Sequence, residues 1–157
     1  KSKDMRWAER LVLLVAARAH GVAVWLDARA GPARTSRPAT AVVVEAGEPP
    51  PGYEHLERVS IRQSGVFRGG TCVGRVVAAP DRRQCRSDIE HAVRAGVYEL
   101  LFLDGPFDLD LVAFALARAD HCRAISGVDV RVACSVASED DVAQATGLSD
   151  ALTLVVR

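Results

Sequence analysis

The stretch VYELLFLD, residues 97–104, constrains this chain most. It holds four consecutive large apolar side chains, Leu100, Leu101, Phe102 and Leu103. In an extended strand successive side chains point to opposite faces, so an unbroken apolar run predicts a strand buried on both sides. Gly96 stands just before it and Gly105-Pro106 just after, and such residues punctuate regular structure. A strand of this kind belongs in the interior of a layered α/β domain, with other elements covering each face.

The flanking segments alternate between helix and strand. SDIEHAVRAG (87–96) predicts a helix with Ser87 as N-cap, Glu90 completing a capping box, and Gly96 as its stop. A second helix is predicted over 108–124, a strand at VDVRVACS (128–135), a short helix starting near Ser138 or Glu139 and stopping at Gly147, and a closing strand in LSDALTLVVR. Upstream, RVSIRQ (58–63) alternates like a half-buried strand and CVGRVVAAP (72–80) reads as the next one. The glycine-rich SGVFRGGTCVG (64–74) predicts a hairpin or mobile loop. A phosphate cradle should lead into a helix, whereas this stretch leads into a strand.

Residues 1–52 read as helix, strand, strand: a helix over 5–19 ended by His20-Gly21, a strand at 21–28, a Pro/Ser/Arg loop at 30–40, and a strand at 40–47. EPPPG (48–52) then breaks regular structure as a linker or tight crossing. The expected fold class is α/β, a mixed sheet with helices packed on it. It comprises a C-terminal module over 58–157 and an α-β-β extension over 1–52 that either extends the sheet or caps it.

Apolar residues make up 49% of the 157, enough to build a core without staples. The run LVLLVAA (11–17), bracketed by Arg10 and Arg18, falls short of the roughly 18 residues that span a bilayer. No membrane partner is expected, and without a signal-peptide pattern the expected compartment is the cytoplasm. Cys72, Cys85, Cys122 and Cys134 include no C-x-x-C pair; reduced, mostly buried thiols are expected, and no metal. His20, His55, His91 and His121 come with no G-x-S-x-G, so neither catalytic residues nor a cofactor is expected.

The net charge is zero but uneven: residues 58–86 hold seven arginines against Asp81 alone, and 87–157 hold 12 acids against 5 arginines. Such a division either steers a partner or interleaves on folding into surface pairs. Only Phe67 interrupts the basic run as an aromatic, and neutral overall charge disfavours nucleic acid as the partner.

The best site candidates crowd LLFLDGPFDLDLVAFALARAD (100–120), where Asp104, Asp108 and Asp110 surround one strand-to-helix junction. Ligands of open α/β sheets bind beyond the carboxyl ends of strands, and paired carboxylates there suit Mg²⁺. Simpler roles come first. Asp108 caps the helix, contributing about 1 kcal/mol; Asp110 favours the helix dipole by roughly 0.3–1 kcal/mol; Asp104 orders the Gly105-Pro106 turn through its side chain.

Residues 58–157 resemble a STAS domain, the fold of bacterial anti-sigma factor antagonists. GVDVRVACSVASEDDVAQATGLSDALTLV is similar to that family's closing strand, short helix, Gly-Leu pair and final apolar segment. VYELLFLDG resembles its central strand, and PFDLDLVAFALARA the start of the next helix. The resemblance implies non-catalytic regulation through another protein, an anti-sigma factor of kinase type or a domain of the same chain. It places the contact at Asp104, Gly105, Pro106, Asp108 and Asp110. The family's Phe-x-Asp-Ser-Ser-Gly stretch carries a phosphorylated serine; matched at Asp108, its two serines fall on Leu109 and Asp110. The resemblance therefore implies a domain without the switch. AGVYELLFLDGPFDLDLVAFALARA also resembles the end of a response-regulator receiver, a degenerate one with Gly105 in place of its lysine and Glu45 in place of its acceptor aspartate. A small-molecule or nucleotide-binding α/β domain is the remaining alternative.

Overall fold

The computed structural model describes residues 3–29, 39–45 and 52–157, with side chains from residue 8 onward. Three parallel strands come first: β1 (Ala23–Asp27), β2 (Ala41–Val44) and β3 (Glu57–Arg62). Two antiparallel pairings then join β3 to β4 (Gly65–Arg68) and β4 to β5 (Thr71–Val77). From β5 the sheet continues in parallel through β6 (Leu100–Leu103), β7 (Arg131–Val136) and β8 (Thr153–Val156). β8 pairs in parallel with β1, Trp25 opposite Val155, and closes the sheet into a barrel. Helix α1 (Lys3–Ala19) precedes β1, while α2 (Arg82–Ala95), α3 (Leu109–Ser126) and α4 (Glu139–Leu148) connect the strands from β5 to β8.

The α/β class is as expected; the closed sheet is not the open mixed sheet of a STAS-like module. The physical reason lies in the first fifty residues. β1 pairs along both edges, with β2 on one side and β8 on the other, so no edge is left unpaired there.

Closure explains the apolar run in β6. Leu100 and Phe102 belong to the interior cluster, with Trp25, Ala41, Val43, Val59, Val66, Val76, Ala133 and Val155. Leu101 and Leu103 belong to the outer cluster, which contains Leu14, Ile89, Val112, Ala115 and Ala145 from the helices. An eight-stranded barrel has an interior just wide enough for side chains to fill, and here the bulk of Trp25 and Phe102 is offset by Ala41 and Ala133. Outside, α1 packs on β1, β8 and α4; α2 packs on β5 and α3; α3 packs on β7 and α4.

Several element boundaries differ from expectation. Asp81, not Ser87, caps α2, its carboxylate accepting from Gln84 N–H at 2.7 Å. Ser87 lies inside the helix, and Glu90 pairs with Arg118 of α3 at 2.9 Å instead of closing a capping box. Gly96 does stop α2, in the left-handed conformation. Asp108 caps α3 as expected, accepting from Leu111 N–H at 3.2 Å, and Ser138 caps α4. Gly147 is inside α4, which ends with Ser149 as C-cap. The glycine-rich stretch 64–74 is mostly strand, β4 and the start of β5, joined by a turn at Gly69-Gly70. The loop expected at 30–40 and the EPPPG break lie largely outside the described residues.

Gly74 shows how tightly the barrel wall is drawn. A Cβ added there would lie 2.6 Å from the Leu100 carbonyl oxygen and 2.9 Å from Leu100 Cβ, whereas at Gly105 nothing lies within 4 Å. Overpacking at such a point forces strands apart. Gly74→Ala is expected to lower unfolding stability by about 1–3 kcal/mol and Gly105→Ala by less than about 0.5 kcal/mol, as read from urea titrations; equal effects would count against this packing.

Candidate functional site at the carboxyl end of the barrel

Seven of the described strands, all but β4, present their carboxyl ends to one mouth of the barrel, and a charged cluster covers it. Asp27 is the last residue of β1 and is 5% exposed. Arg29, two residues on, binds it through Nε and Nη2 at 3.0 and 2.8 Å, and its own backbone N–H donates to the same carboxylate at 3.0 Å. The guanidinium also spans to Asp104 just beyond β6, Nη1 and Nη2 each donating at 2.8 Å. It stands 5.6 Å from the centre of the Phe102 ring. Arg157, next after β8, reaches Asp104 at 3.4 Å. A planar fork engaging two carboxylates in pairs is geometry that a lysine ammonium does not reproduce.

This corrects the role expected for Asp104. Its carboxylate does not order the Gly105-Pro106 turn; it is committed to Arg29 and Arg157. Burial pushes Asp104 upward, but the hydrogen bonds and charge of Arg29, with a smaller share from Arg157, hold it below the usual carboxylate range. The same pairing, led by the Asp104 hydrogen bonds, raises Arg29.

Beside the mouth lies a cleft of about 640 Å³ at the starts of α2 and α3, lined by Pro80, Arg82, Gly105, Pro106, Asp108 and Asp110 among others. One Asp108 oxygen caps α3 while the other accepts from Arg82 Nε at 2.8 Å. Arg82 also stands 3.6 Å from Asp110, whose side chain is 72% exposed. Here the basic and acidic stretches of the sequence do interleave. Asp104, Asp108 and Asp110 are therefore all tied to arginines, and among the described residues no group of three His, Cys, Asp or Glu side chains forms a metal site. Two thiols line the cleft as well: Cys85 donates to the Ala79 carbonyl at 3.3 Å, and burial raises it, while burial pushes Cys134 up to about 12. Both are held as neutral thiols near neutral pH.

Asp104, Gly105, Pro106, Asp108 and Asp110, the residues expected at the contact, all line this cleft. Sequence reading missed Asp27, Arg29, Arg82 and Arg157. One signal was available: Asp27 ends an otherwise apolar strand, and a buried acid needs a partner. Glu45, the residue proposed for a receiver's acceptor, is exposed just after β2 and is not among the residues lining this cleft. No protein-family model matches the chain, and no curated protein matches it.

Removing Arg29 leaves two partly buried carboxylates facing each other. Arg29→Ala is expected to cost about 3 kcal/mol, the low end for a broken buried pair, and Arg29→Lys to restore only part of it. In the wild type the Asp104 contribution is complete above the ordinary aspartate value and is lost as pH falls through its lowered folded value. In Arg29→Ala the sign reverses, because burial of Asp104, then offset only by the smaller share from Arg157, makes this carboxyl take up a proton more readily folded than unfolded. The variant's deficit should therefore shrink from pH 7 to pH about 4; a deficit that grows on acidification would contradict the assignment.

Proposed function

We propose that this chain is a regulatory domain that binds another protein through the start of α3, without a phosphorylation switch. The observation that carries the reading is the placement of Gly105, Pro106, Asp108 and Asp110 together on one accessible lip, with Leu109 36% exposed and the Asp110 side chain 72% exposed. A rigid helix end is fixed there by the Asp108 cap, and the Arg29 cluster anchors the turn before it. Preorganised surfaces of this kind lose little entropy on docking.

The succession β5-α2-β6-α3-β7-α4-β8 supports the STAS resemblance in element order, although the sheet is closed. By that resemblance the partner is an anti-sigma factor of kinase type. By the same resemblance the family's two serines fall on Leu109 and Asp110, and neither can be phosphorylated as a serine is. The receiver reading would instead centre contacts near Glu45.

The test is calorimetric titration of the chain with kinase-type anti-sigma factor domains. Asp108→Asn keeps a capping oxygen; combined with Asp110→Ala it should weaken binding at least about tenfold while leaving the melting temperature within a few degrees. Undiminished affinity in this double variant would remove the surface from the account, and absence of binding by the wild-type chain would remove the partner class.

A further inference from the structure

The opposite mouth of the barrel carries a second site. A cavity of about 580 Å³ opens among the first residues of the parallel strands, reaching Trp25 and Leu100 of the interior and ringed by Glu57, Arg68, Glu99, Asp129 and Arg131. Trp25 is 5% exposed and forms part of its wall. One of the lining side chains is itself a cation. Arg68, at the end of β4, donates from Nε and Nη2 to Glu57 at 2.5 and 2.7 Å, with its guanidinium carbon 5.9 Å from the Trp25 ring centre. Glu57 raises Arg68 first through those hydrogen bonds, and the Glu99 charge adds to it.

We propose that this mouth binds an organic cation, an alkylguanidinium or alkylammonium, in the place that the Arg68 side chain occupies. The aromatic wall, the carboxylate of Glu57 at a barrel opening, and two further rim acids combine the features that select a cation with an apolar stem: a ring face and carboxylates beside it. Arg68 is well suited to yield. Its side chain is 43% exposed and Glu57's is 46% exposed, and an ion pair so open to water is weak. It also sits beside the Gly69-Gly70 turn, where both residues take left-handed backbone conformations. The site is independent of the α3 surface, at the other end of the barrel.

The experiment is titration of the full chain with agmatine, followed by calorimetry and by amide and indole shifts in NMR spectra, with butyrate as the anionic control. Because Arg68 competes for the site, the Arg68→Ala and Arg68→Gln variants should each bind agmatine about fivefold more tightly than wild type. Adding Glu57→Gln to either should abolish that gain, and the indole signal of Trp25 should move on binding. A Gly-Arg-Gly peptide tested in parallel separates sources: tighter binding than agmatine assigns the site to an arginine of a protein partner, weaker binding to a free amine or guanidine. Agmatine failing to bind either Arg68 variant, or binding with the same affinity after Glu57→Gln, would overturn the proposal.

Discussion

One guanidinium joins two strands across the carboxyl mouth of this barrel. Arg29 takes Asp27 from the end of β1 and Asp104 from just beyond β6 at once, over the ring of Phe102. Two carboxylates this close would repel each other and resist burial without the cation between them. The tie holds the chain just beyond β6, beside Gly105 and Pro106 and four residues before the Asp108 cap of α3. The docking surface proposed here adjoins that contact.

The two mouths of the barrel are built differently. At the carboxyl end the arginine is shared by two carboxylates and shielded, its side chain 17% exposed. At the amino end Arg68 serves one carboxylate and remains open to water. Coulomb attraction gains strength as water is excluded, so the first pair acts as a fixed structural tie and the second as an exchangeable occupant. Between them the interior is filled by apolar side chains. The two ends can therefore differ in function while sharing one core.

Much of the architecture was legible in the sequence because it follows from local rules. The apolar run Leu100–Leu103 predicted burial on both faces, and Asp108 predicted the start of α3. Closure was not legible. An interior strand of an open, helix-covered sheet and a strand of a filled barrel both read as apolar on two faces, and the deciding contact, β1 against β8, joins residues far apart in sequence. Ser87 and Glu90 imitate a capping box within α2, so the true cap at Asp81 was overlooked. Asp104 was found but given a turn role because its partner lies 75 residues away in the chain.

The central claim is that Arg29 and Asp104 are coupled, and a double-mutant cycle measures this directly. Unfolding free energies of wild type, Arg29→Ala, Asp104→Ala and the double variant at pH 7 should show a coupling of about 2 kcal/mol, within the range for charged residues in direct contact. Additive single effects, with coupling near zero, would contradict the account.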